Sequence, residues 1–151
     1  MKLSAHFTIV LTFAGLLSFN LLNGQTAGDY RSASSGNWND LPTWERFDGS
    51  SWLTPTMAQG TPTNANGLIN IKNTHAVTVT ASVTTDQTTI ESGGEVIVDS
   101  GVTLTINNGT GTYDLTVNGT ITNSGTIVRA TSIIQIGSGG VYDHARDGGS
   151  I

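Results

Sequence analysis

Short runs of alternating apolar and polar residues fill the chain from Ala76 to Tyr142. Valine, leucine or isoleucine occupies every second position, and threonine most often fills the positions between. Because successive side chains point to opposite sides of a strand, each run predicts a strand with one aliphatic face and one hydroxylated face. The clearest runs are VTVT at 77–80, VTLTI at 102–106 and LTV at 115–117. The segment from Ile133 to Ile136 continues the pattern less regularly.

Glycine and asparagine end nearly every run. Both residue types tolerate positive φ, which tight corners require. Very short strands at close spacing with similar turns predict an all-β, right-handed β-solenoid, in which stacked coils place the aliphatic rows inside. A β-sandwich is the alternative, because Asn-Gly also favours two-residue hairpins. The turns fall at 92–94, 100–101, 107–109, 118–119, 124–125 and 138–140.

Residues 1–27 have the three-part layout of a secretory signal peptide. Lys2 supplies a positive start, residues 7–22 are mostly apolar, and small and polar residues follow. Cleavage after Gly24 and cleavage after Ala27 both fit. The apolar run is shorter than the roughly 20 residues that a membrane helix needs, so we expect no stable membrane span after signal removal.

The remaining chain divides in two. Residues 28–67 hold all three tryptophans and all three prolines, and they predict a Trp-containing N-terminal cap. Residues 68–151 form the β-repeat region. No cap is evident at the end of this region, and uncovered strand edges invite association, so we expect the region to be truncated at its C-terminus.

Charge and composition limit the classes of partner that the chain is expected to bind. The 151 residues include six Lys and Arg and eleven Asp and Glu, for a net charge of −5, and no basic residue occurs at 73–128. A nucleic-acid partner is therefore not expected, because phosphate binding needs a basic stripe. The chain has no cysteine, which excludes disulfides and thiol catalysis.

The segment from Ser35 to Trp44, SGNWNDLPTW, resembles an opening motif of large secreted surface proteins of Bacteroidetes-type bacteria. The stretch from His75 to Val79 and the run from Leu115 to Ile127 resemble later parts of the same proteins, which are cargo of type IX secretion. The layout is similar to their eight-glycine β-rich domain. Leu41 before Pro42 departs from the usual motif. The resemblance covers roughly residues 29–148 and implies an extracellular or cell-surface scaffold, with no implied reaction.

Four aromatic residues are the candidate ligand-binding set: Trp38, Trp44, Trp52 and Tyr30. Aromatic faces can stack on sugar rings, so these side chains predict a contact with carbohydrate. The alternative interpretation is a hydrophobic cap on the first coil, which any solenoid needs.

Other polar groups give weaker indications. The carboxylates of Asp86, Glu91, Glu95 and Asp99 flank turns, and we interpret them as solvated turn residues rather than as a catalytic pair. The cluster from Asp143 to Asp147 is interpreted as a charged turn that ends a strand, and His75 as an isolated histidine. We identify no catalytic residues, no metal site and no cofactor. Threonine pairs at 78/80, 103/105 and 120/122 suggest outward rows that could order water and bind ice.

The sequence thus predicts a non-catalytic, secreted or cell-surface, structural or adhesin-like scaffold. Its expected partners are polysaccharide or other cell-surface components, and its oligomeric state is left open. The alternatives are a carbohydrate-binding module, a non-catalytic part of a polysaccharide-degrading enzyme, and an ice-binding protein. A lyase or hydrolase on the same scaffold would need clustered Asp, Lys or Arg in a groove.

Overall fold

The structure is a computed structural model that describes residues 24–129 and 131–145. Most of the predicted signal peptide lies outside these residues. The described chain contains fifteen strands and one short 3-10 helix, Leu41–Thr43. The strands are β1 (Tyr30–Ser32), β2 (Gly36–Asn37), β3 (Trp44–Phe47), β4 (Trp52–Leu53), β5 (Ile69–Ile71), β6 (Ala76–Val79), β7 (Val83–Thr85), β8 (Thr88–Ile90), β9 (Glu95–Val98), β10 (Thr103–Ile106), β11 (Leu115–Val117), β12 (Thr120–Asn123), β13 (Thr126–Arg129), β14 (Ile134–Ile136) and β15 (Val141–His144).

The strands form three sheets that wrap around one core. Sheet A has the order β14-β11-β8-β5-β1-β3-β4, sheet B the order β15-β12-β9-β6-β2, and sheet C the order β13-β10-β7. Successive strands along the chain belong to different sheets, and each strand pairs in parallel with its counterpart one coil away. Among the described strands, the antiparallel pairs are β1 with β3 and β3 with β4. The predicted β-solenoid is confirmed, with about four turns, and the β-sandwich alternative is wrong because parallel coil-to-coil pairing replaces hairpins.

The coils advance by unequal lengths. Ile69 pairs with Thr88, Thr88 with Leu115, and Leu115 with Ile134, so successive advances in sheet A are 19, 27 and 19 residues. The long advance contains the loop at 107–114, which protrudes at one corner and leaves the register of the strands unchanged. This loop explains the irregular period of the sequence repeat.

Inward rows of aliphatic side chains build the core. Ile71, Ile90 and Val117 follow one another in sheet A, and all three are fully buried. Val77 and Val96 are neighbours in the same way in sheet B. The predicted alternation is therefore confirmed, because these residues lie inside and the threonines between them lie on the outer faces.

Glycines line the corner between sheets A and B, where consecutive coils lie closest. Gly94, Gly119 and Gly140 each precede a strand of sheet B. The N–H of Thr120 donates to the Gly94 carbonyl at 3.0 Å, and the N–H of Val141 donates to the Gly119 carbonyl at 2.8 Å. A side chain at Gly119 would overlap the carbonyl oxygens of Gly94 and Glu91. Glycine is thus required here by close backbone approach.

The region predicted as a cap contributes to the solenoid itself. Strands β1 and β2 pair in parallel with β5 and β6, so the first coil begins at Tyr30. An insertion at 38–64 follows β2 and carries the 3-10 helix, β3 and β4. The chain then returns to the solenoid wall, where the N–H of Asn64 donates to the Thr84 carbonyl at 2.9 Å. The insertion closes the N-terminal end of the core.

The opposite end of the described solenoid is open. Strands β13, β14 and β15 each pair with a strand on one side only, among the described residues. An apolar cavity of about 370 Å³ lies at this end, lined by Leu115, Ile121, Ile127, Arg129, Ile134, Ile136 and Tyr142.

Candidate functional site

Three of the four aromatic residues proposed as a sugar platform lie in the core. Trp38 and Trp44 have no exposed surface, and Tyr30 is 1% exposed. The two indole rings meet edge to face with centroids 4.9 Å apart. Their ring nitrogens donate to the carbonyls of Pro62 at 2.9 Å and Trp38 at 2.7 Å. Because these rings have no free face, the predicted platform of four aromatics is corrected: Trp38, Trp44 and Tyr30 form the aromatic end of the core.

Tyr30 shows how fully this core is closed. Its ring packs edge to face on Trp44, with centroids 6.4 Å apart, and its hydroxyl donates to the Gly60 carbonyl at 3.0 Å. Burial raises the pKa of Tyr30 above its ordinary value, and the nearby Arg46 guanidinium acts in the opposite direction. The hydroxyl therefore stays protonated and continues to donate over the physiological pH range.

Trp52 is the one aromatic residue of the set with partial exposure. It lies on β4, the outermost strand of sheet A, and it packs on Phe47 with ring centroids 5.2 Å apart. The Arg31 guanidinium lies 4.3 Å from the centroid of the Trp52 ring. Such a cation–π contact fixes the orientation of the indole at the protein surface.

Trp52 forms one wall of an open groove of about 400 Å³ on sheet A. Strands β1 and β5 place Arg31 and Asn70 side by side on the outer face, because they are register partners. Leu68, Lys72 and Glu91 also line this depression, which we call the Trp52 groove. An aromatic ring, an aliphatic side chain and several hydrogen-bonding groups therefore converge in one concave surface.

Internal hydrogen bonds occupy the carboxylates of the Trp52 groove. Arg31 donates its Nε–H to Glu45 at 2.7 Å. Glu91 accepts from the Asn70 side-chain amide at 2.6 Å and from the backbone N–H of Asn73 at 2.9 Å. The Oδ1 atom of Asn70 is buried and has no partner among the described residues. Because this oxygen has no accessible surface, it belongs to the interior of the fold and does not face a ligand in the groove.

Arg31, Asn70 and Lys72 are site residues that the sequence did not predict. Arg31, Lys72 and Arg46 are three of the four basic residues within the described parts of the chain, and all three lie near this end of sheet A. The sequence shows that basic residues are scarce in the rest of the chain. It does not show that these three lie close together, because β1 and β5 are separated by the long insertion.

The acidic residues interpreted as solvated turn groups make specific contacts between coils. Glu91 contacts the preceding coil through Asn70, and Glu95 accepts from the Thr122 hydroxyl at 2.7 Å. Asp86 lies beside Asp114, which is 1% exposed. The interpretation as simple solvated turns is therefore corrected for these residues, which tie neighbouring coils together.

Asp86 and Asp114 form a carboxyl pair at the corner before β8 and β11. Burial raises the pKa of Asp86, the adjacent Asp114 raises it further, and the Gln87 N–H acts in the opposite direction. Asp114 accepts from the backbone N–H groups of Gly109 at 2.8 Å and Ile133 at 2.6 Å. The pair thus anchors the loop at 107–114, and it lies away from the Trp52 groove.

Two histidines differ from their sequence interpretation. His75 is not isolated, because its Nδ1 lies 2.8 Å from the Ser32 hydroxyl, which also accepts from the Lys72 N–H at 2.9 Å. Ser32 is fully buried, so the pair joins two coils and cannot reach a substrate. His144 lies within β15, with Nδ1 3.1 Å from the Tyr142 hydroxyl, so the predicted charged turn does not begin at Asp143.

The threonine rows are interrupted. In sheet B, Ile97 separates Thr78 from Thr122, and Thr120 lies between Glu95 and Val141. The pair at 103/105 belongs to sheet C, on another face. The ice-binding hypothesis requires one flat array of threonines, and the predicted rows do not form such an array.

Within residues 24–129 and 131–145, no group of three or more His, Asp or Glu side chains converges to hold a metal ion. None of the described segments forms a helix long and apolar enough to cross a membrane. Comparison of the chain with protein-family models, with curated proteins and with solved structures finds no match.

Proposed function

We propose that the protein is a non-catalytic scaffold of the cell surface or extracellular space that contacts polysaccharide through the Trp52 groove. The stacked coils provide a rigid body with a continuous core, which suits a structural or adhesin-like role. The resemblance of the segment at 35–44 to secreted surface proteins supports the same location. The main observation that supports the proposal is the half-buried Trp52 ring, which Arg31 holds beside an open groove.

The chemistry of the groove favours sugar over other ligands. Arg31 lies over one face of the Trp52 indole, so the C–H groups of a pyranose ring would pack on the part of the ring that Arg31 leaves uncovered. The Lys72 ammonium, which lines the groove, offers donors for sugar hydroxyls. A concave surface with apolar walls and a few polar groups is the usual form of a small-ligand site.

A non-catalytic role fits the state of the carboxylates in the groove. Glycoside cleavage needs one carboxyl group to donate a proton and a second to act as base or nucleophile. Both oxygens of Glu91 accept hydrogen bonds from the chain itself, and so do both oxygens of Asp29. These carboxylates therefore serve the fold, and the groove binds without reacting.

Affinity electrophoresis of the full chain through gels that contain single polysaccharides tests the proposal. We expect retardation by at least one polymer and a loss of about tenfold or more in affinity for Trp52→Ala, because a stacked indole contributes over about 1 kcal/mol. Tyr113→Ala is the matched control, since Tyr113 is 42% exposed and lies outside the groove. Retardation that is unchanged in folded Trp52→Ala, or no retardation of the wild type, contradicts the proposal.

A further inference from the structure

We infer that the carbohydrate site extends beyond the Trp52 groove along the outer face of sheet A, and that its ligand is a linear, uncharged polysaccharide that lies parallel to the solenoid axis. The inference rests on the proposed function and deepens it. The extension consists of the middle residue of each parallel strand of sheet A, and we call these residues the sheet A row. Its members are Arg31 on β1, Asn70 on β5, Thr89 on β8, Thr116 on β11 and Gln135 on β14.

The strand register aligns the sheet A row. Asn70 is the register partner of Arg31 on one side and of Thr89 on the other. Thr116 is in turn the partner of Thr89 and of Gln135. The residues that flank the middle position in β5, β8 and β11 are buried, so the middle side chains point outward. Because neighbouring strands lie about 4.8 Å apart, the row is roughly 19 Å long.

The sheet A row is continuous with the Trp52 groove. Arg31 and Asn70 belong to both, and the Arg31 guanidinium lies 4.3 Å from the centroid of the Trp52 ring. A glycan that packs on Trp52 and continues along the axis therefore reaches Thr89 and then Thr116. The spacing between strands is close to the length of one sugar unit in an extended chain, so successive units face successive side chains.

The other two sheets offer no equivalent surface. Both outward rows of sheet B contain an aliphatic residue, which is Ile97 in one row and Val141 in the other. Sheet C has only three strands, and its row of Thr84 and Thr105 ends at Val128. The sheet A row is therefore the longest uninterrupted row of hydrogen-bonding side chains in the described part of the chain. Such side chains match the hydroxyl groups that a polysaccharide presents along its length.

The threonine hydroxyls of the row are available to a ligand. The Thr122 hydroxyl of sheet B donates to Glu95 at 2.7 Å. The hydroxyls of Thr89 and Thr116, in contrast, form no side-chain hydrogen bond to another described residue, and both residues are partly exposed. Since a hydroxyl can donate one hydrogen bond and accept two, each of these threonines can pair with a sugar hydroxyl in either direction.

Charge selects an uncharged polymer. No basic residue occurs at 73–128, so the row has no cation beside Thr89 or Thr116. The chain as a whole carries a net charge of −5. An anionic polysaccharide would meet Lys72 in the groove, but it would find no cation along β8 and β11 and would be repelled by the acidic protein. A neutral chain avoids this repulsion and uses the same hydrogen-bonding groups.

Isothermal titration of the full chain with oligosaccharides of two lengths tests the inference. The uncharged probes are the disaccharides and hexasaccharides of cellulose, xylan, mannan and laminarin, and the acidic probes are hexasaccharides of alginate and polygalacturonate. We expect at least one uncharged hexasaccharide to bind, and to bind at least about tenfold more tightly than its disaccharide, because it adds hydrogen bonds to the row. The acidic hexasaccharides should bind more weakly.

A double variant tests the row itself. Thr89→Val with Thr116→Val removes two hydroxyls and keeps the β-branched shape, so the fold should persist, which circular dichroism checks. Affinity for the hexasaccharide should fall at least about fivefold, and affinity for the disaccharide should not change. Thr84→Val with Thr105→Val is the matched control, because these two residues are register partners on the outer face of sheet C.

The outcomes separate the extended site from the groove. Equal affinity for the two lengths, or a hexasaccharide affinity that the Thr89, Thr116 double variant leaves unchanged, rejects the sheet A row and leaves the Trp52 groove as a carbohydrate site. Tighter binding of an acidic hexasaccharide overturns the uncharged ligand. Binding of none of the probes, together with no retardation by any polysaccharide, contradicts the proposed function and the inference with it.

Discussion

Gly119→Ala is expected to destabilise the solenoid strongly, because it adds a methyl group where two coils touch. The new Cβ would fall within 3.0 Å of the Gly94 carbonyl carbon and closer still to the oxygens of Gly94 and Glu91. Real Cβ atoms essentially never approach other heavy atoms below 3.0 Å. The corner must therefore open, and the opening lengthens the Thr120–Gly94 and Val141–Gly119 hydrogen bonds.

The magnitude follows from these contacts. Overpacking of a close contact costs about 1–3 kcal/mol. Weakening two backbone hydrogen bonds costs about 1 kcal/mol each. We therefore expect Gly119→Ala to lower the free energy of unfolding by about 3–5 kcal/mol.

Gly101→Ala is the matched control. Gly101 has a φ of 79°, and a Cβ there meets nothing within 4 Å, so the substitution introduces backbone strain alone. That strain costs about 1–2 kcal/mol. Both variants are Gly→Ala changes, so their effects on the unfolded chain cancel in the comparison.

Urea unfolding of the full chain, followed by far-ultraviolet circular dichroism, measures both variants against the wild type. Gly119→Ala should be less stable than Gly101→Ala by about 1–4 kcal/mol. Equal stability of the two variants would refute the reasoning, because it would mean that the coils do not approach closely at this corner.

Two further predictions concern the core and the carboxyl pair. Ile90→Ala should lower the free energy of unfolding by about 3–4 kcal/mol, because Ile90 is fully buried between neighbouring coils. Leu53→Ala, at an exposed position, should lower it by less than about 0.5 kcal/mol. Equal losses in urea unfolding would contradict the assigned core. Asp86→Asn should stabilise the chain at neutral pH. The raised pKa of Asp86 means that its contribution to stability is present below the ordinary value of 3.8 and is lost as pH rises through the folded value. Thermal melts should therefore show a difference at pH 7 that shrinks toward acid pH, and a difference independent of pH would contradict the raised pKa of Asp86.

The repeat region could be predicted from the sequence because its signal is local. Alternation of valine and threonine at 77–80 fixes which side chains face inward, whatever the neighbouring strands are. Corner glycines such as Gly119 mark where each strand ends. These features decide the solenoid class without knowledge of distant contacts.

The candidate site could not be predicted in the same way. Tryptophan side chains suit both a sugar platform and a core, and the sequence does not distinguish Trp38, which is buried, from Trp52, which is not. The Trp52 groove depends on the pairing of β1 with β5 across the insertion, and no local pattern specifies that pairing. The interior contacts of Ser32 and Asp114 likewise depend on which coil lies next to which.

The unequal coil advance has a mechanical consequence. The described coils hydrogen-bond only to adjacent coils, so a force that pulls on the two ends of the chain should peel coils away one after another. Each detached coil releases its own length of chain. Advances of 19 and 27 residues in sheet A correspond to extensions of roughly 65 Å and 95 Å. Single-molecule force traces would therefore show unequal step lengths, and the longest step would identify the coil that carries the loop at 107–114.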